Sequence, residues 1–439
     1  LTSLLSSATP DAGRGRDLTV KEVVTRGAER IQTDLADEPE VQMRLQWLLA
    51  DVLGVLGDDN GADALYEKAL VTERALHGEF SIRVAQIYDR QAELRKSQNR
   101  FADQERLVRL AYERLRTVLG EDKEETVWQY HNIGNALYAQ GRYSEAVPYY
   151  RDATERYRAQ HPEDSRALAT MLGNVGKVLE RVGEFDEAER YLLEALAMRR
   201  RLFGDPHTHV AYSLHLLAML MVSRERYDEA YRYSDEARAQ YAKLYGKETE
   251  RTAMEDQLRG SALALQGRYD LAEPILTQAI AVLIREDGPG DENVAAARTD
   301  LGDVMRATGR LAEARELYTL ALDAYRKLYP KGTAEMAGPL LGLGETALAE
   351  NAAPVSCAYF EEALQLRESQ LAPGNWKVDV ARLSLLYCKA AAGKSEGSEM
   401  RTALAILARK RRADDFTLTL WRRRVADIMD TVSVTETES

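Results

Sequence analysis

Apolar and small residues along the chain follow a pattern that repeats every 42 residues, with polar stretches between the copies. Counting from Gly141 in both directions gives nine register positions, which are Gly57, Asn99, Gly141, Gly183, Glu225, Gly267, Gly309, Asn351 and Gly393. Twelve residues after every register position stands an alanine, from Ala69 in the first copy to Ala405 in the ninth. Nine alanines in phase indicate a repeated structural unit.

Each unit reads as two antiparallel helices. Seven residues before the register, the first eight copies carry Ala or Gly, and only the ninth departs, with Leu386. A small residue on each helix lets the two helices approach closely, and a register Gly ends the first helix in a left-handed conformation. Bulky pairs in the second helix fill the space between helices: Tyr149/Tyr150, Tyr191/Leu192, Ile275/Leu276, Leu317/Tyr318 and Tyr359/Phe360.

One helix pair cannot bury its apolar face alone, so neighbouring pairs are expected to stack. The sequence therefore predicts an all-α fold, an α-solenoid of about nine helix pairs with a capping helix at each end. The predicted boundaries are a linker over 1–17, an N-terminal capping helix over 18–39, a repeat array over 40–414, a C-terminal capping helix over 415–432 and a polar tail over 433–439.

Composition narrows the function classes. With 59 basic and 71 acidic residues the formal net charge is −12, which disfavours a nucleic-acid partner. No apolar run approaches the roughly 18 residues that span a bilayer. The sequence starts at Leu1 and carries no signal-peptide pattern, so we expect a piece of a longer protein.

The repeat resembles the tetratricopeptide repeat in its long, 42-residue form, the type found in kinesin light chains. The resemblance covers roughly residues 40–410, and its small-residue positions are specific. It implies a right-handed solenoid whose first helices line a concave groove that binds peptides or proteins. The second copy, at Asn99, and the ninth copy depart most from the pattern.

The N-terminal stretch carries a second resemblance, in the segments 1–5, 15–30 and 39–45. These are similar to the segment that joins a membrane anchor to the repeat array in bacterial receptor-type serine/threonine protein kinases. The likeness implies that this chain is the extracytoplasmic, periplasmic sensor part of such a kinase. The alternative is that this stretch is only a capping helix in front of the repeat array, since any such helix has a similar sequence.

The groove positions lie thirteen, ten, nine and six residues before the register. In copies three to five they are rich in amide and aromatic side chains, which offer paired donors and acceptors and large contact areas. The candidate ligand-binding residues, including one position a turn further on, are Trp128, His131, Asn132, Asn135, Tyr138, Asn174, Lys177, Tyr212, His215 and Met219.

Asn132 and Asn174 also match the asparagine in the Leu-x-Asn-x-Ala/Gly pattern with which kinesin light chains hold cargo peptides. Leu216 and Leu258 break that pattern, so the correspondence stops at two units. The alternative is that some of these side chains bridge neighbouring helices.

The other chemistry-bearing residues predict neither a metal site nor a cofactor. No catalytic motif appears, so the chain is not expected to be an enzyme. The chain's two cysteines, Cys357 and Cys388, fall at the same end of adjacent helices. A disulfide between them fits an oxidising compartment, and two buried free thiols are the alternative that the sequence favours.

Two functions remain open. The first is a protein- or peptide-binding region that regulates an attached kinase, either through a ligand or through self-association, with membrane contact only through an upstream anchor. The second is a free-standing cytoplasmic scaffold that binds peptide segments of partner proteins.

Overall fold

The computed structural model describes residues 19–330, 332–371, 375–393, 397–410 and 416–437. Within these ranges the chain forms α-helices and one short 3-10 helix, with no β-strand, so the predicted all-α class is confirmed. The helices are α1 Val20–Asp34, α2 Pro39–Val55, α3 Asp59–His77, α4 Ile82–Ser97, α5 Phe101–Leu119, α6 Glu124–Ala139, α7 Tyr143–Gln160, α8 Arg166–Val182, α9 Phe185–Phe203, α10 Thr208–Ser223, α11 Tyr227–Tyr245, α12 Glu250–Leu265, α13 Tyr269–Asp287, α14 Glu292–Ala307, α15 Leu311–Leu328, the 3-10 turn Ala334–Met336, α16 Ala337–Ala349, α17 Ala353–Gln370, α18 Trp376–Ala391, α19 Gly397–Lys410 and α20 Phe416–Thr437.

The chain divides into two compact units, described separately below. The first contains Leu1–Gln140 and Glu145–Pro162, and the second contains Gly141–Ser144 and Glu163–Ser439. In the first unit, α2 pairs with α3 and α4 with α5, while α3 packs on α4 and α5 on α6. In the second unit, consecutive helices pair from α8–α9 to α18–α19, and the second helix of each pair packs on the first helix of the next. This is the stacked-pair architecture that the 42-residue period predicts.

Each register position turns the chain between the two helices of its pair. The six register glycines have φ between 73° and 89°, as a left-handed turn requires. Asn99, Glu225 and Asn351 adopt the same turn, with φ of 56°, 58° and 61°. The helix stop is thus kept where glycine is absent, because the stacked pairs on both sides hold the turn in place.

The small residues seven positions before the register pack against the large side chains that follow the register in the second helix. A Cβ built on Gly302 would lie 2.7 Å from the ring of Tyr318, and one on Gly344 would lie 2.4 Å from the ring of Phe360. Tyr318 and Phe360 are both fully buried. The helix crossings therefore depend on the absence of a side chain at these glycines. The in-phase alanines are buried in the first eight copies, whereas Ala405 of the ninth copy is exposed.

In the first unit, α1 begins at a capping box in which Thr19 and Glu22 satisfy each other's backbone N–H groups. Val24 and Ile31 bury its apolar face beside α2. The structure thus places a helix within the predicted N-terminal cap.

In the second unit, chain segments far apart in sequence touch one another. The Asn375 side chain donates to the backbone carbonyl of Arg181 at 3.4 Å, across 194 residues. Thr417 donates to a Glu225 carboxylate oxygen at 3.2 Å, across 192 residues. A repeat array with contacts between neighbours alone would show neither bond.

The last helix buries Leu418, Trp421 and Val425 against α18 and α19. Ile428 packs beside them, and the side chain of Met429 lies outside the described residues. The helix continues to Thr437, into the segment expected to be a polar tail. The predicted linker over 1–17 also lies outside the described residues.

A disulfide bond joins Cys357 in α17 to Cys388 in α18, with 5.5 Å between their Cα atoms. The structure thus takes the bonded arrangement rather than the two free thiols that the sequence favoured. Over the described part of the chain, no helix combines the length and apolarity that a bilayer crossing demands.

Candidate functional site

The candidate binding residues lie on the first helices α6, α8 and α10, which we call the first-helix row. In α6, Trp128 is partly buried, and its ring stands edge-on to His131 at 5.4 Å and to Tyr157 at 6.1 Å. Tyr138, near the end of the same helix, is also partly buried. Both aromatic side chains keep some surface in contact with solvent.

His131 does not face a ligand, which corrects the sequence prediction. Its side chain is 1% exposed and its ring lies edge-on to Tyr150 of α7 at 5.0 Å. Burial lowers the pKa of His131 to about 4, so the ring is neutral at physiological pH. The position therefore belongs to the contact between the two helices of its pair.

Asn135 also serves this contact. It accepts a hydrogen bond from the Tyr150 hydroxyl at 2.9 Å and donates one to Asn132 Oδ1 at 3.0 Å. Its donor and acceptor are thus both in use within the fold. Asn132, one turn earlier, is partly buried and uses only its oxygen in that bond. Of the two amides, Asn132 is the better placed to meet a ligand.

In the second unit, α8 carries Asn174 and Lys177, both partly buried. Burial and the neighbouring Arg181 lower the pKa of Lys177. Gly173, at the preceding position, leaves space for the guanidinium of Arg199, which lies 3.4 Å from where a Cβ would stand. Arg199 is buried and donates to Ser213 of the next repeat at 2.6 Å.

In α10, Tyr212 lies under Arg199 at 6.0 Å, and burial raises its pKa. His215 pairs through Nδ1 with Glu255 of α12 at 2.8 Å, and that carboxylate is 1% exposed. His215 therefore bridges two repeats, as the alternative interpretation expects, and is occupied. Met219 is partly buried and leaves an apolar surface.

The row continues through α12 and α14 in residues outside the candidate list. Gln257 donates to Asp300 at 2.7 Å, and the Tyr318 hydroxyl donates to Asp303 at 2.7 Å. Burial raises the pKa of Asp300 to about 7, because it outweighs the hydrogen bond from Gln257, which lowers the pKa. Carboxylates at these positions were visible in the sequence, but their partners were not, because each bond joins different helices.

The side chains of the row differ in their roles within the fold. His131, Asn135 and His215 make contacts between helices. The partly buried residues that keep exposed area beside their contacts in the fold are Trp128, Asn132, Tyr138, Asn174, Lys177, Tyr212 and Met219. Amide, aromatic and apolar surfaces of this kind suit contact with a polypeptide. Among the residues that the structure describes, no group of three or more His, Cys, Asp or Glu side chains is placed to hold a metal ion.

Comparison with known families identifies the repeat. Residues 105–159, 167–243 and 252–327 match the tetratricopeptide repeat family. These three segments therefore carry tetratricopeptide repeats, as the 42-residue pattern predicts. No curated protein matches this sequence.

Solved structures share the fold at low sequence identity. A Rap protein complexed with competence and sporulation factor has a TM-score of 0.57 and 16% identity, over 89% of this chain and 99% of that one. The apo form of RapI has a TM-score of 0.55 and 17% identity, over 66% and 100%. Aspartyl phosphate phosphatase F from Bacillus subtilis has a TM-score of 0.50 and 14% identity, over 74% and 80%. The resemblance of the N-terminal stretch to receptor kinases stays a prediction.

Proposed function

We propose that this chain is a non-catalytic region that binds a protein or peptide and regulates an attached bacterial serine/threonine protein kinase. The observation that carries the binding part is the accessible first-helix row, with Asn132 and Asn174 at equivalent positions of successive repeats. Each asparagine side chain carries a donor and an acceptor, which match those of an extended peptide backbone.

The fold neighbours support a binding role. Among them is a Rap protein whose structure contains a bound competence and sporulation factor. Tetratricopeptide arrays stack repeats into extended surfaces, and such surfaces suit polypeptide partners. Self-association is the second mode, since pairing of two chains would raise the local concentration of attached kinases.

The N-terminal resemblance supports the kinase attachment and a periplasmic location. The Cys357–Cys388 disulfide agrees with that location, because disulfides persist in oxidising compartments. The alternative is a free-standing cytoplasmic scaffold. The upstream part of the encoding gene distinguishes the two. Kinase motifs followed by codons for about 20 apolar residues support the receptor, and their absence supports the scaffold.

The binding part is tested with the array as bait, and captured proteins are identified by mass spectrometry. The double variant Asn132→Ala with Asn174→Ala should weaken capture at an unchanged thermal midpoint. The matched control is Asn60→Ala with Gln278→Ala, two exposed amides on second helices. Equal capture by both double variants would place the partner elsewhere on the chain.

A further inference from the structure

The second unit contains a partly open cavity of about 230 Å³, with polar and apolar walls, that the proposed function does not use. Its walls come from segments far apart in sequence. They include Glu180 and Arg181 at the end of α8, Glu335 in the 3-10 turn, Arg367 in α17 and Lys377 at the start of α18. The volume is several times the roughly 30 Å³ of one water molecule.

The carboxylates of the cavity already have partners. Glu180 accepts from Ser223 at 2.5 Å and lies 3.5 Å from Nε of Arg181. Glu335 accepts from the hydroxyl of Thr333. Neither carboxylate reaches Lys377 or Arg367 within ion-pair distance in the described part of the chain.

Two of the three cations on the walls, Lys377 and Arg367, have no counter-ion within the described part of the chain. Among the described residues, the Lys377 ammonium makes no hydrogen bond or ion pair, and it lies over the Trp376 ring at 5.9 Å from the centroid. Arg367 donates one hydrogen bond, to the backbone carbonyl of Lys377 at 2.7 Å, and pairs with no carboxylate there.

Burial at this place disfavours both positive charges. It lowers the pKa of Lys377 despite the opposing effect of Glu180, and it lowers the pKa of Arg367 to about 10. A cation that loses water without gaining an anion is destabilising unless a ligand supplies the charge. The arrangement thus has the chemistry of an empty anion site.

We infer that this cavity binds a compact anionic molecule through a carboxylate or phosphate group, with Lys377 and Arg367 donating to its oxygens. Phe185 and Trp376 on the walls offer apolar surface to the rest of the ligand. Such a ligand would touch α8 and α18 together, beside the bond from Asn375 to Arg181. The inference is independent of the peptide-binding row.

The experiment is calorimetric titration of the full chain at constant ionic strength with three probes, at up to about 10 mM. Inorganic phosphate tests the phosphate source, benzoate tests the carboxylate source, and benzamide is the uncharged isostere of benzoate. The variants are Lys377→Met, Lys377→Arg and a control, Lys243→Met, at an exposed lysine of the same unit.

We expect at least one anion to bind the wild type, with a dissociation constant about tenfold higher in Lys377→Met, as loss of one charge-assisted bond gives. Lys377→Arg and Lys243→Met should retain binding, and the ligand-free Lys377→Met protein should melt no lower than wild type. The inference is overturned if neither anion binds, if Lys377→Met binds equally well, if benzamide binds as tightly as benzoate, or if Lys377→Met melts well below wild type.

Discussion

Arg424 of the last helix donates two parallel hydrogen bonds, of 2.7 and 2.8 Å, to the carboxylate of Glu345 in α16, which lies 79 residues earlier in the chain. Both side chains are about one-fifth exposed, at 21% and 18%. The guanidinium also lies 5.0 Å from the Trp421 ring and 5.4 Å from the Tyr387 ring. Bidentate pairs of this kind are stronger and more directional than surface ion pairs.

Arg424→Met should lower the free energy of unfolding by about 2 kcal/mol, because Glu345 is left partly buried without its partner. The control is Arg423→Met, at the exposed neighbouring position, for which we expect a change within about 0.5 kcal/mol. Urea denaturation measures both. Equal midpoints for the two variants would show that the pair contributes nothing.

Gly344→Ala should destabilise the second unit by about 1–3 kcal/mol, since the new methyl group meets the buried ring of Phe360. Gly27→Ala is the opposite control, because a Cβ there meets nothing within 4 Å. That helical position should gain up to about 1 kcal/mol. Thermal denaturation of the two variants should shift in opposite directions, and shifts of the same sign would contradict the packing argument.

We expect His131 to make the free energy of unfolding decrease as the pH falls. Its pKa is about 4 in the folded chain and about 6.5 when unfolded, so only the unfolded chain gains the proton between these values. The contribution is complete above pH 6.5 and declines as the pH falls towards 4, with a loss of about 2–3 kcal/mol by pH 4.5.

His131→Phe keeps a buried ring and removes the titration. Between pH 7 and 4.5 its free energy of unfolding should fall by about 2–3 kcal/mol less than that of the wild type. Proton NMR of the imidazole offers a direct check. A ring that titrates near 6.5 would show that His131 is open to solvent.

Iodoacetamide without reductant should leave Cys357 and Cys388 unmodified even in denaturant, because their sulfurs are bonded to each other. After reduction in denaturant, mass spectrometry should find both alkylated. Alkylation of both before reduction would contradict the disulfide and remove its support for the periplasmic location.

The repeat could be predicted because its packing is periodic. Gly302 and Gly344 contact Tyr318 and Phe360 at the same spacing in their repeats. Each of these copies therefore needs a residue without a side chain at the same position. Asn99, which replaces the register glycine, keeps the left-handed turn, so this other part of the repeat survives substitution.

The site was harder to predict, since the same helix face serves two purposes. His131 and His215 have the residue type and spacing of ligand contacts, yet one packs on Tyr150 and the other pairs with Glu255. Which polar residue contacts another helix depends on a partner outside its own helix, Tyr150 for His131 and Glu255 for His215. The cavity beside Lys377 was missed because its walls meet only through contacts outside the repeat period.

The bonds from Asn375 to Arg181 and from Thr417 to Glu225 alter how the second unit responds to damage. In a simple stack, a nick near one terminus loosens only the adjoining repeat. Here the C-terminal segments also brace helices almost two hundred residues upstream, so clipping α20 away would increase amide exchange around Glu225 as well as in α19. A cut near the C-terminal end of the second unit would therefore loosen helices that are distant from it in sequence.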